Sequence, residues 1–102
     1  MNLNEAAQNA FETARQRERA GANVNINQIL KHCAGEVIEA ATAREFMITQ
    51  DYGNKQAYGE ELADVIICAL IAAYKDGVDI EKAVKEKLQI NAQRAAMQGD
   101  KL

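Results

Sequence analysis

The sequence predicts an all-α fold, and three observations support this. The chain has 102 residues with no proline and only six glycines, so few positions interrupt a helix. Alanine, glutamate, glutamine and lysine are frequent, and all favour helices. Apolar residues also recur every three to four positions along most of the chain. We therefore expect one four-helix bundle-like domain spanning residues 1–102.

Turn and capping residues divide the chain into helical segments. Gly21 suits the position after a helix, Asn25 or Asn27 suits the start of the next helix, and Asp79 suits the start of the last one. The sequence predicts a loop at 51–55 and a polar tail at 98–102. The predicted helices cover about 3–19, 28–49, 57–75 and 80–97.

The third predicted helix should be the central one, because it is apolar on nearly all sides after Asp64. The connection between the second and third helices is short, so these two should pack antiparallel. Small, alanine-rich helices leave apolar flanks uncovered, and we therefore expect oligomerisation to complete the bundle.

Charge and cysteine content exclude several classes of function. The net charge is −3 and no dense basic cluster is present, which argues against polymeric nucleic acid as a partner. No apolar run approaches the roughly 18 residues of a membrane span. Cys33 and Cys68 form no Cys-x-x-Cys pair and lie in apolar contexts, as expected for buried thiols in a reducing compartment. We expect a cytoplasmic protein that does not bind membranes.

Four carboxylates in two similar spacings are the most informative feature of the chain. Glu36 and Glu39 lie in one apolar stretch, and Glu61 and Asp64 lie in another. A spacing of three residues places both acids of a pair on one helix face. Antiparallel packing of the two helices would bring the pairs together, and their repulsion would then need a cation. All-oxygen ligands favour Mg²⁺ or Mn²⁺, ions that support phosphate chemistry.

Two other interpretations of these acids are open at this point. Glu-x-x-Glu pairs are common on solvated helix faces and need bind nothing. A dinuclear iron site normally uses two Glu-x-x-His motifs, whereas His32 is the single histidine and precedes Glu36. His32 lies four residues before Glu36, so it could contact and support Glu36 on the same helix face; a lone surface histidine is the alternative.

The order of these motifs resembles the all-α nucleoside triphosphate pyrophosphohydrolases, the MazG-like group. The first metal-binding helix of that family is similar to 36–40, and the second to 60–66. Its last helix is similar to 77–84 followed by 87–91, with a Lys-x-x-x-Asn pattern. The tail 99–102 also resembles that of the family. The resemblance covers about residues 28–102, and the first helix only loosely.

The resemblance implies hydrolysis of a nucleoside triphosphate between its α- and β-phosphates, giving a monophosphate and pyrophosphate. Glu36 or Glu39 would orient or deprotonate the attacking water. Lys87 and Asn91, one helical turn apart, would contact the phosphates or the sugar. The resemblance also implies a homodimer or homotetramer. By position, the Mg²⁺ ligands would be Glu36, Glu39, Glu61 and Asp64.

Several points stay open from the sequence. The first ligand pair can be read one turn earlier, as Cys33 and Glu36, in which case Glu39 would not bind the metal directly. The related phosphoribosyl-ATP pyrophosphohydrolase activity and a non-catalytic nucleotide-binding or oligomerisation module are alternatives. Base stacking would fall to one of four aromatic residues, Tyr52, Tyr58, Phe46 or Phe11.

Overall fold

The computed structural model describes residues 2–17, 25–49 and 54–98, and this part of the chain contains helices and no strand. The all-α prediction is therefore confirmed. None of the described helices is both long and apolar enough to cross a membrane. The four helices are α1 (Leu3–Arg17), α2 (Ile26–Thr49), α3 (Lys55–Lys75) and α4 (Ile80–Gln98).

Asparagine caps explain why α2 and α3 each begin two residues earlier than predicted. Asn25 Oδ1 accepts a hydrogen bond from the Gln28 backbone N–H at 3.3 Å, and Asn54 Oδ1 accepts one from Ala57 at 3.2 Å. Each satisfies a backbone donor that has no partner inside the helix. The described residues do not include Gly21, most of the predicted 51–55 loop or residues 99–102 of the predicted tail.

The third helix is central, as the sequence predicts, because α3 alone packs against each of the other described helices. Most of the buried apolar side chains of the described core also belong to it: Cys68, Leu70, Ile71 and Ala73. The helices α2 and α3 are antiparallel. Cys33 lies beside Cys68 while Glu36 and Glu39 lie beside Glu61, so residue numbers fall on one helix as they rise on the other.

A tight turn joins α3 to α4, and α1 holds it in place. Gly77 has a φ of 69°, a conformation that favours glycine, and its N–H donates to the Tyr74 carbonyl. Asp79 caps α4 by accepting from the Lys82 N–H at 3.1 Å. Asn4 adds a second cap from α1, because its Oδ1 accepts from the backbone N–H groups of Ile80 and Glu81. The start of α4 is therefore fixed to the start of α1.

Beyond this first turn, α4 makes little contact with the rest of the chain. Between Lys82 and Met97 every described side chain is exposed except that of Asn91, which is half-buried. The radius of gyration is 16.2 Å, whereas a compact domain of this length has about 13 Å. The single chain is therefore an open arrangement of helices.

Replacing Asn4 with alanine should destabilise the fold, because it removes the cap that α1 supplies to α4. We expect the free energy of unfolding to fall by about 1 kcal/mol, measured by urea denaturation followed by circular dichroism. Asn9→Ala is the matched control, since Asn9 is exposed on the same helix. Equal stability of the two variants would contradict the capping role.

The same contacts predict a pH dependence. The Asn4 amide and the Lys82 N–H lower the pKa of Asp79, and the Leu3 N–H followed by Lys85 lowers that of Glu81. A lowered pKa in the folded state stabilises the fold above the ordinary carboxyl pKa, and this is lost as the pH falls through the folded-state value. We expect a smaller acid-induced loss of stability in Asn4→Ala than in the wild type.

Candidate metal centre

Three of the predicted ligands converge between α2 and α3. Glu36, Glu39 and Glu61 each offer a carboxylate oxygen, and these three oxygens lie within 4.8 Å of one another. The antiparallel packing of α2 on α3 creates the cluster, because Glu36 and Glu39 are one turn apart on the same helix face. We refer to these three residues as the carboxylate triad.

The triad combines buried and accessible oxygens. Glu36 is buried, Glu61 half-buried and Glu39 exposed. The Oε2 atoms of Glu36 and Glu61 are buried and have no hydrogen-bond partner among the described residues. A buried carboxylate oxygen without a donor is costly and in native proteins usually indicates a bound water or ion.

Burial and like charges raise the pKa of Glu61 above its ordinary value. Removal from water is the largest cause, followed by the charges of Glu39, Asp64 and Glu36. Each effect disfavours the ionised form of Glu61. A cation at the triad would reverse this balance, because it would compensate the repulsion and supply a partner for the unpaired oxygens.

His32 supports the triad from one side. Its Nε2 lies 2.7 Å from Glu36 Oε1, one helical turn along α2. This contact occupies one oxygen of Glu36, whereas the buried Oε2 has no hydrogen-bond partner among the described residues. The histidine therefore orients Glu36, and the sequence had indicated this spacing.

The other predicted site residues lie outside the triad. Asp64 is exposed one turn further along α3, near enough for its charge to raise the pKa of Glu61 but not part of the 4.8 Å cluster. Lys87 and Asn91 lie on α4, which has no contact with α2 among the described residues. The structure does not bring these two residues to the acids of the same chain.

The two cysteines occupy a separate layer of the α2–α3 interface. Both are free thiols, and Cys68 is buried. Burial raises the pKa of the Cys68 thiol to about 12, and the neighbouring Cys33 adds to the increase. Cys33 faces Cys68, whereas Glu39 joins the triad. The geometry therefore favours Glu36 and Glu39 as the first pair of metal ligands, in place of Cys33 and Glu36. The reducing compartment and the cytoplasmic location stay predictions.

The triad could hold a metal ion. Its donors are all carboxylate oxygens, which Mg²⁺ and Mn²⁺ prefer over the thiol and imidazole ligands of zinc sites. Three protein carboxylates would also leave positions for water or phosphate oxygens. Glu36, Glu39 and Glu61 are the residues that could hold such an ion.

Sequence reasoning missed a pocket beside the triad. It has a volume of about 380 Å³ and lies among α1, α2 and α3. No motif indicates it, because its lining comes from the end of one helix, the start of the next and the middle of a third. Its hydrogen-bonding side chains are those of Arg17, Asn25, Gln28 and His32.

Comparison with known proteins adds no family assignment: no family model, curated protein or solved structure matches the chain. The likeness to MazG-like enzymes therefore depends on the motifs and their order.

Cation binding at the triad should be visible as thermal stabilisation. We expect Mg²⁺ or Mn²⁺ to raise the melting temperature of the wild type by several degrees at neutral pH. Glu61→Gln should melt higher than the wild type without metal, because it removes a repelled, desolvated charge, and should lose most of the metal effect.

The matched control is Glu60→Gln, which removes the same charge from the adjacent exposed position. It should keep the full response to the cation. An equal metal effect in both variants would show that cations stabilise the chain without the triad.

Proposed function

We propose that the protein is a Mg²⁺-dependent nucleotide pyrophosphohydrolase of the MazG-like type, cleaving a nucleoside triphosphate or deoxynucleoside triphosphate to a monophosphate and pyrophosphate. The observation that carries the proposal is the carboxylate triad, two of whose buried oxygens have no hydrogen-bond partner among the described residues. The order of the sequence motifs, from Glu-x-x-Glu to Glu-Glu-x-x-Asp to Lys-x-x-x-Asn, supports the same assignment.

The environments of the acids suggest different roles. Glu36 is buried and paired with His32, and Glu61 is half-buried, so these two are suited to holding the ion. Glu39 is exposed at the edge of the triad and is the best placed to orient or deprotonate an attacking water. Asp64 lies one turn from Glu61 and would bind the ion from the edge of the triad. A bound Mg²⁺ supplies charge neutralisation for the phosphates and for the pyrophosphate leaving group.

A second copy of the chain is part of this proposal, and the exposed area supports it. The chain exposes 7839 Å², whereas a folded monomer of this mass exposes about 5,700 Å². The excess is larger than the roughly 800 Å² that each partner buries in a standard interface. Large side chains near the triad are exposed, among them Val37, Ile38, Phe46, Leu62 and Ile66.

Charge complementarity supports α4 of a second copy as the element that covers this face. The α2–α3 face carries the triad together with Asp64, whereas α4 carries four basic residues against two acidic ones. Lys87, Asn91 and Arg94 recur at helical spacing on α4, and the neighbouring Leu88 and Ile90 are exposed. We infer that α4 of one copy packs on the α2–α3 face of another, which would bring Lys87 and Asn91 to the substrate.

Activity should depend on the triad and not on the exposed acids Glu45 and Glu60. With Mg²⁺ and a panel of nucleoside and deoxynucleoside triphosphates, we expect release of monophosphate and pyrophosphate. Glu39→Gln and Glu61→Gln should each lower turnover by at least about a hundredfold. The controls Glu45→Gln and Glu60→Gln remove exposed charges from the same helices and should keep activity.

The products separate the alternatives. Turnover of phosphoribosyl-ATP alone would assign the related activity. Nucleotide binding by calorimetry without turnover would indicate a non-catalytic module, and release of inorganic phosphate would contradict cleavage between the α- and β-phosphates.

Light scattering with size-exclusion chromatography should show a dimer or tetramer. Ile38→Arg places a positive charge on the face expected to meet the basic α4, and should shift the protein toward the monomer. Val78→Arg is the control, because Val78 is exposed in the α3–α4 connection. A monomeric wild type at about 100 µM would contradict the proposed interface, since standard interfaces form well below this concentration.

A further inference from the structure

The pocket beside the carboxylate triad has the position expected of a substrate subsite. His32 lines it, and the same imidazole lies 2.7 Å from Glu36 Oε1 in the triad. His32 therefore links the lining of the pocket to the candidate metal centre. The pocket is a candidate for the part of a ligand that extends from phosphates bound at the triad.

The pocket also has the size and lining of a small-molecule site. Its volume of about 380 Å³ falls within the range of about 300–1,000 Å³ that is usual for such sites. Small and aliphatic side chains form its apolar surface, contributed by Ala14 of α1, Ile29 of α2 and Ile71 of α3. Polar groups at its rim come from the end of α1 and the start of α2.

The polar groups suit a ligand with both hydrogen-bond donors and acceptors. Arg17 and the Gln28 amide can donate to carbonyl oxygens, and the Gln28 carbonyl can accept from amino groups. Asn25 uses its Oδ1 for the backbone N–H of Gln28, which leaves its Nδ2 free to donate. The described lining contains no carboxylate and no Phe, Tyr or Trp ring, and its aromatic group is the imidazole of the exposed His32, so hydrogen bonds would carry most of the recognition of a base there.

We infer that this pocket binds the nucleoside end of the substrate and recognises the base through hydrogen bonds to its carbonyl and amino groups. This rests on the proposed function, in which the triad holds the phosphates through Mg²⁺. The inference assigns base recognition to Arg17, Asn25 and Gln28. It replaces the expectation that Tyr58, Phe46 or Phe11 stacks on the base. Phe11 packs against Tyr74, with ring centroids 5.0 Å apart. Tyr52, the fourth aromatic residue considered, lies outside the described residues.

A variant that fills the pocket tests this inference. Ala14→Trp places an indole in the pocket, while Thr13→Trp places the same ring at the adjacent exposed position of α1. Calorimetry in Mg²⁺ would compare two probes, an α,β-methylene nucleoside triphosphate and inorganic tripolyphosphate. We expect Ala14→Trp to weaken the nucleotide analogue by at least about tenfold and to leave tripolyphosphate unchanged. Thr13→Trp should bind both as the wild type does.

A second pair of variants covers the case in which Ala14→Trp does not fold. Gln28→Ala removes one hydrogen-bonding side chain from the lining, and should weaken the nucleotide analogue by about threefold to tenfold. Asn27→Ala changes a neighbouring exposed side chain outside the lining and should have no effect. Circular dichroism establishes that each variant is helical.

The outcomes separate this inference from the proposed function. If the wild type binds tripolyphosphate as tightly as the nucleotide analogue, or if Ala14→Trp and Gln28→Ala leave the analogue's affinity unchanged, the pocket assignment is wrong and the triad assignment stands. If neither probe binds with Mg²⁺, the proposed function fails. The pocket is then tested with a nucleoside in EDTA, where binding by the wild type and loss in the pocket variants supports it. Absence of binding by the wild type overturns it.

Discussion

The convergence of three carboxylates between two antiparallel helices is the constraint on which the rest of this structure depends. Packing α2 on α3 places Glu36, Glu39 and Glu61 together, with two of their oxygens buried and unpaired among the described residues. The apolar contacts between the helices must therefore outweigh the repulsion and desolvation of the acids. The raised pKa of Glu61 has the same origin.

The exposed apolar surface is a second consequence of the way the helices are arranged. α1 covers part of α3, but the face of α2 and α3 around the triad keeps aliphatic side chains in contact with water. In the described part of the chain, the hydrogen bonds that anchor α4 lie at its first turn and involve Asn4, Asp79 and Glu81. Such surfaces are unfavourable for an isolated chain. A second copy would cover them and would give α4 a position at the triad.

The pocket and the triad lie on the same pair of helices, and this links recognition to chemistry in the proposed enzyme. His32 connects the two, because it lines the pocket and contacts Glu36 of the triad. Arg17 and Gln28 approach from the ends of α1 and α2, where side chains are exposed and can adapt to a ligand. The metal centre would fix the phosphates, and the pocket would fix the orientation of the base.

Local sequence signals by themselves determined the four helices, the Asp79 cap and the identity of α3 as the central helix. These features depend on periodicity and on capping chemistry within a few residues. The spacing of the acids also predicted that Glu36, Glu39, Glu61 and Asp64 converge, and the described cluster contains all of these except Asp64. Spacing could not decide between Cys33 and Glu39, because both lie one turn from Glu36.

Only the tertiary structure decided that Glu39 faces Glu61 while Cys33 faces Cys68, since this depends on the register of α2 against α3. It also decided the pocket, which three separate helices create, and the position of α4. Periodicity shows which face of a helix is apolar but not what covers that face. The distance of Lys87 and Asn91 from the acids of their own chain therefore had no signal in the sequence.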